Sequence, residues 1–270
     1  MRRAASTRVT GERVSTPAAG FNPTWQRHVA AYELCAAFLG PGRVLDLGCG
    51  VGHSAAMLAP RESVGVDVDP TVLRGQPRET HVADMRALPF PDGSFSSVLA
   101  VQSIEHVPDA DRALREVARV LEPGGVTVLV TPNRLTFGRP DEIIDPYHFV
   151  EYDPTELGAL VSRSFADVHL HGLFGSSRVQ MLLGAERRKM DRLLALDILR
   201  VRRALPRRFR QHTYDLTLQY TRRRPSPPVL AIDTSDYTLA SRNLPRALDL
   251  VAVCRRGQPF SEPCDPEAND

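Results

Sequence analysis

The sequence predicts an open α/β sheet covered by helices on both faces, and three observations predict it. Short apolar runs alternate with helical patterns through the first two thirds of the chain, as parallel strands joined by crossover helices require. One such run, Val44 to Leu47, leads directly into the glycine-rich turn Gly48-Cys49-Gly50-Val51-Gly52 and then into a helical stretch. The length of 270 residues suits one domain of this kind plus an elaboration. Composition agrees, since 42% hydrophobic and 24% charged residues exclude collagen-like, coiled-coil and wholly disordered chains.

Residues 1–20 carry Arg2, Arg3, Arg8 and Arg13 among Ser, Thr and Ala without the apolar stretch of a signal peptide, so they are expected to form a disordered arm of a cytoplasmic protein. No run approaches the ~18 apolar residues of a membrane span. The cysteines, Cys35, Cys49, Cys254 and Cys264, form no CxxC pair, and neither a zinc site nor a disulfide framework is expected. Trp25, Tyr32 and Phe38 of a first helix either close one side of a site or belong to the core, as aromatics at helical spacing more often do.

Strands are expected at Val44 to Leu47, Ser63 to Val68, Thr80 to Ala83, Phe95 to Val101 and Val126 to Thr131. Between the last two, Asp111 to Leu121 reads as an amphipathic helix, because Leu114, Val117, Ala118 and Leu121 fall at i, i+3, i+4 and i+7. Glu122-Pro123-Gly124-Gly125 stops it. Another helix begins at Asp153, where an acidic N-cap, Pro154 in the first turn and Glu156 three residues on resemble a capping box. Two further strands follow, Asp167 to Leu173 and Leu248 to Cys254.

The gap between those last strands is far longer than a compact connection needs, so a segment is inserted there, over 175–246. Met190, Leu194, Ile198, Val201 and Leu205 give it a helix with one apolar stripe. Pro206 ends that helix, and Arg222 to Pro228 reads as an extended linker. From Arg178 to Arg224 there are 14 Lys and Arg against 4 acidic residues, which leaves the rest of the chain net negative although the whole carries +2. Such a segment is either a solvated arginine face or a surface for an anionic partner.

The glycine turn lets the backbone approach a ligand at the carboxyl end of the first strand. Its GxGxG spacing, with Asp46 two residues before the first glycine, disfavours a pyrophosphate and favours a cofactor with an ammonium group. Here the chain resembles the class I S-adenosylmethionine-dependent methyltransferases, in particular the group that includes the quinone methyltransferases, over roughly Val44 to Leu173. Asp46, Gly48, Cys49, Gly50 and Gly52 match the motif that holds the methionine half of S-adenosyl-L-methionine. Asp67 matches the carboxylate that accepts from both ribose hydroxyls, with Val68 beside it, and Asp84-Met85 matches the pair at the adenine. Leu88 to Phe95 and Arg119 to Gly125 are similar to the segments that lead into the fourth and fifth strands.

What the resemblance implies is a Rossmann-like, doubly wound, seven-stranded mixed sheet with helices on both faces and an antiparallel last strand. The methyltransferase domain would cover 21–256, with the arginine-rich helical cap inserted between strands 6 and 7 and a disordered tail at 257–270. S-adenosyl-L-methionine would be the cofactor.

The acceptor side rests on two clusters. Gln102-Ser103-Ile104-Glu105-His106 lies at the lip after the fourth strand, Gln102 next to the cofactor. It is similar to the quinone O-methyltransferases, in which two Glu and a His are associated with a divalent metal, but Gln102 replaces the first carboxylate and no metal is expected. Glu105 and His106 then either take part in the chemistry or fix the loop. The second cluster is Asp145-Pro146-Tyr147-His148-Phe149-Val150-Glu151-Tyr152, where His148 is either a general base or a loop-bonding histidine. His53, His81, His169 and His171 read as structural.

The expected function is S-adenosylmethionine-dependent methylation of a small-molecule acceptor, anionic or lipid-like, on oxygen. Methylation of carbon or nitrogen on a metabolite or quinone is the alternative. So is nucleic-acid binding or modification through the arginine-rich segment, which is disfavoured by its few aromatics, Phe209, Tyr214 and Tyr220. The arginine face also suits peripheral contact with a membrane.

Overall fold

The computed structural model describes residues 22–137, 143, 145–195, 205–206, 208–214 and 227–257. The expected arm, the tail, Ile198 and Val201 of the apolar stripe, and Arg222 to Ser226 of the linker lie outside the described residues. The strands are β1 (Val44–Leu47), β2 (Ser63–Asp67), β3 (Thr80–Val82), β4 (Phe95–Val101), β5 (Leu121–Pro132), β6 (Asp167–Gly175), β7 (Tyr237–Ala240) and β8 (Asp249–Arg255). The helices that matter for the site are α1 (Asn22–Cys35), α2 (Ser54–Leu58), α3 (Ala110–Val120), α4 (Arg134–Phe137), α5 (Pro154–Val161) and α6 (Ser177–Ala195).

The strands form one sheet in the order β3-β2-β1-β4-β5-β8-β6-β7. β1 to β5 pair in parallel, while β8 runs antiparallel between β5 and β6. Because β1 and β4 are central and flanked on both faces, their residues are mostly apolar and nearly all buried. Successive β4 residues serve opposite layers. Val98 and Ala100 pack with Leu114 and Val117 of α3, and Leu99 and Val101 pack with Tyr32 and Cys35 of α1 and Val179 of α6.

The sheet has eight strands among the described residues rather than seven. The extra strand, β7, pairs antiparallel with the end of β6 and lies within the segment expected to be a helical cap. Four residues at a sheet edge with a Thr and an Ala among them carry too little pattern to stand out from a long insertion. β5 begins at Leu121, earlier than expected, with a register shift opposite Phe95 to Ser97 where Gly124 adopts φ +76°. Pro227–Leu230 forms a helical turn where an extended linker is expected. No described helix is long and apolar enough to cross a membrane.

The carboxyl ends of β1, β2, β4 and β5 open on one edge of the sheet, with the antiparallel β8 starting beside them at Asp249, opposite Pro132. The glycine turn after β1, Asp67 at the end of β2 and Gln102 after β4 lie on this edge.

Candidate active site

β1 ends buried, and the turn after it reverses the chain through glycines in the left-handed region, with φ of +70° at Gly48 and +78° at Gly52. Neither position has room for a side chain, since a β-carbon on Gly48 would lie 2.6 Å from that of Ser103 and one on Gly52 would strike Gln76. At Gly50 a β-carbon would meet nothing within 4 Å, so the turn leaves open space over its own backbone. A ligand can approach there.

Asp46 faces inward from this turn. Its carboxylate is fully buried and accepts from the Tyr32 hydroxyl (2.8 Å), the Ser54 hydroxyl (2.6 Å) and the Arg78 guanidinium (2.7 Å). Asp46 therefore acts on the turn from beneath, as one half of a buried ion pair that also fixes α1 and α2. Burial and the neighbouring Asp46 charge hold the Tyr32 phenol well above its ordinary pKa, and burial with Asp46 pushes the Cys49 thiol up to about 12. Cys49 is thus a neutral packing residue, in contact with Val72 and Leu73.

Asp67 ends β2 and braces the turn from the other side, accepting from the Gly50 N–H (2.9 Å) and the Asp69 N–H (3.0 Å). A carboxylate has lone pairs beyond those two. Val68 next to it is exposed, and Gln76 donates to the Gly50 carbonyl (2.8 Å). Asp84 is paired with Arg86 at 2.5 Å, and hydrogen bonds from Arg86 hold its carboxyl below the usual range despite partial desolvation. Met85 packs partly buried against the core. Gln102 leaves β4 in a left-handed conformation, φ +51°, which a non-glycine residue adopts at a cost and which clusters at functional sites. Its amide donates to Asp249 at 3.3 Å.

Sequence reasoning missed the partners that organise this edge. Arg78 and Gln76 sit in the patternless stretch between β2 and β3, and Asp249 sits at the start of an apolar strand. Asp249 is fully buried, lies 3.4 Å from Arg27 of α1, and is pushed up to about 6 by burial, an effect that Arg27 opposes. Trp25, His28, Tyr32 and His53 form a ring cluster between α1 and the glycine turn, with centroids 4.7 Å apart for Trp25 and His53 and 4.9 Å for the two histidines. Burial lowers both histidines, His28 to about 3, so both are neutral near pH 7.

The two acceptor-side clusters meet. Glu105, 1% exposed, accepts from the Thr131 hydroxyl (3.0 Å) through one oxygen, while its backbone carbonyl accepts from the Phe149 N–H (2.8 Å). The His106 and His148 rings are 5.0 Å apart. His148 Nδ1 lies 3.0 Å from Glu151 Oε1 and its Nε2 3.9 Å from Asp145 Oδ2. Burial works to lower the His148 pKa, but the Glu151 hydrogen bond and the charges of Glu105 and Asp145 outweigh it and the pKa is raised. The loop is held at its far end by the Tyr152 bridge to Asn133 and at Asp145 by Tyr214 of the inserted segment, whose hydroxyl lies 3.2 Å away.

An open α/β sheet with a glycine cradle after β1 and a carboxylate at the end of β2 defines a class of enzyme that binds an adenosyl cofactor on this edge. The Methyltransferase domain family matches residues 45–129. A Mycobacterium tuberculosis protein named a probable S-adenosylmethionine-dependent methyltransferase is 32% identical over 267 residues, covering 92% of this chain and 89% of its own. The demethylmenaquinone methyltransferase of Thermus thermophilus is 35% identical over 162 residues, 54% of this chain and 70% of its own. Among solved structures, a Thermotoga maritima S-adenosylmethionine-dependent methyltransferase shares the fold with a TM-score of 0.56 at 18% identity, over 86% of this chain and 90% of the other. The chain belongs to the S-adenosylmethionine-dependent methyltransferases, and S-adenosyl-L-methionine is its cofactor.

Proposed function

We propose that this methyltransferase acts on an oxygen of a small-molecule or lipid-like acceptor, with His148 taking the acceptor's proton. The observation that carries the reading is the anchoring of His148. Its Nδ1 is bound to Glu151, which fixes the ring and leaves Nε2 to accept, with donor atoms of Glu105 and His106 within 4.8 Å. An amine that is already neutral needs no such base; a hydroxyl or phenol does. The acceptor in the Thermus relative's name, demethylmenaquinone, supports a small-molecule acceptor.

S-adenosyl-L-methionine supplies the methyl group and leaves as the thioether. The protein's part is alignment. On this reading the glycine turn, Gly48 to Gly52, and Gln102 line the methionine half, Asp67 takes the ribose hydroxyls, and Asp84 and Met85 flank the adenine. Asp46 positions the turn through Arg78, Tyr32 and Ser54. α6 leaves the carboxyl end of β6, and the Tyr214 contact with Asp145 ties the inserted segment to the His148 loop, which supports its role as the cap over the acceptor.

The test is methyl transfer from labelled cofactor to hydroquinones, other phenols and alcohols, set against matched amines. Label on oxygen is expected, and His148→Ala should slow turnover by about 10²-fold or more with cofactor affinity intact. Label confined to nitrogen or carbon, or an equal loss of turnover and cofactor binding, refutes the assignment.

A further inference from the structure

We propose that the inserted segment and the acceptor loop together form a face that docks on an anionic lipid bilayer, with the mouth of the acceptor site turned to the membrane. The sequence supplies the charge, because the 14 Lys and Arg against 4 acidic residues between Arg178 and Arg224 leave this part of the chain at +10. The structure supplies the apolar half of the signal. Met181 on α6 is 68% exposed and Phe209, in the helical stretch 208–214, is 52% exposed, and each stands with an exposed arginine, Arg188 and Arg208 respectively.

The inner side of α6 is apolar, since Val179, Leu182 and Leu183, at i, i+3 and i+4, pack on the core layer that α1 shares. Its outer side carries Met181, with Arg188 seven residues on and so in line with it. Phe209 lies between Arg208 and Arg210 in its own helical stretch. Helices that offer apolar side chains among arginines lie in the plane of a bilayer surface, the apolar groups in the headgroup boundary and the arginines against anionic lipid.

Three contacts join this surface to the acceptor loop. Arg187 of α6 donates to the Thr136 carbonyl (2.5 Å), the Arg134 N–H donates to the Tyr152 carbonyl (2.9 Å), and the Tyr214 hydroxyl lies 3.2 Å from Asp145. α4 and the loop add exposed apolar residues of their own, Leu135 and Val150. A nucleic acid would use the same charge but is held by stacking aromatics, and Met181, Leu135 and Val150 have no ring to offer. The docking stands on this surface alone. What it serves rests on the lipid-like acceptor of the proposed reading: Val150 lies two residues after His148, so an acceptor held in the bilayer meets the base at the edge of the docked face.

The experiment is flotation of the full chain with vesicles of phosphatidylcholine and with vesicles in which about a third of the lipid is phosphatidylglycerol, at rising salt. Binding to the anionic vesicles alone is expected, weakening as salt screens the arginines. Met181→Ser with Phe209→Ser should weaken it by about 10-fold or more, the worth of burying such side chains, with cofactor affinity unchanged. Arg188→Glu with Arg208→Glu should weaken it by a similar factor. No binding, equal binding to both kinds of vesicle, binding that the Met181 and Phe209 replacements leave unaltered, or binding of RNA in preference to vesicles overturns the membrane face. Vesicle binding together with label confined to nitrogen or carbon leaves the face standing and refutes the function, and methyl transfer to a hydroquinone oxygen without vesicle binding does the reverse.

Discussion

On the proposed reading Asp67 carries two loads at once, which makes it the most informative residue at this edge. It pins the Gly50 N–H from the end of β2 and, on the proposed reading, accepts from both ribose hydroxyls with its remaining lone pairs. Asp67→Ala should weaken S-adenosyl-L-methionine binding by about 1.5–3 kcal/mol, the range for hydrogen bonds to a charged group, as read by calorimetric titration. An unchanged affinity would remove the ribose assignment. Asp46 differs although it lies in the same motif. Its carboxylate is engaged by three protein donors, from Tyr32, Ser54 and Arg78. The sequence shows an acid at the right spacing in both cases. It does not show that one faces the ligand edge and the other faces Arg78, because Arg78 has no periodic neighbours to mark it as buried.

At the scale of elements, the loop that carries His148 is anchored where it runs into α5. Its far end enters α5 through a capping box. Asp153 accepts from the Thr155 and Glu156 N–H groups at 2.9 Å, and Glu156 accepts from the Asp153 N–H at 3.0 Å. Arg134 of α4 then clamps Asp153 and Glu156 at 2.7 Å each, which joins the cap to the end of β5. Asp153→Ala should cost about 0.5–2 kcal/mol in urea unfolding and lower turnover more than cofactor affinity, since it loosens the loop and not the glycine turn. An equal fall in both would mean that the cap supports the whole edge. This start of α5 was legible in the sequence, as were the parallel strands, because caps and apolar runs are local signals. β7 was not, since a four-residue edge strand is defined by the partner it pairs with. The meeting of Glu105 and His106 with His148 was likewise hidden, because it depends on how the loop after β5 folds back over the end of β4.

The whole molecule closes along a seam between α1 and the sheet, and this seam is electrostatically strained. α1 is tied by Tyr32 to Asp46, by Arg27 to Asp249, and by the Tyr237 hydroxyl donating to the Pro23 carbonyl at 2.8 Å. Asp249 and His28 both lie buried next to Gln102, and burial disfavours the charged form of each. The consequences for stability have opposite signs. His28, lowered to about 3, holds a proton less readily in the folded chain than in the unfolded one, so it contributes stability that is lost as pH falls from 6.5 towards 3. Asp249, raised from 3.8 to about 6, holds its proton more readily when folded, so stability falls as pH rises through that interval and stays lower above it. A displacement of this size is worth on the order of 3 kcal/mol. The two slopes overlap between pH 4 and 6 and oppose each other, which flattens the stability of the natural chain there. Asp249→Asn removes one of them. Measured by urea unfolding at pH 4, 5, 6 and 7, the variant should gain on the natural protein by on the order of 3 kcal/mol between pH 4 and 6 and by nothing further at pH 7. A difference that does not change with pH would mean that Asp249 is already ionised at pH 4 and that Arg27 outweighs its burial. The seam would then be a satisfied ion pair, and α1 would be held over the cofactor edge without strain.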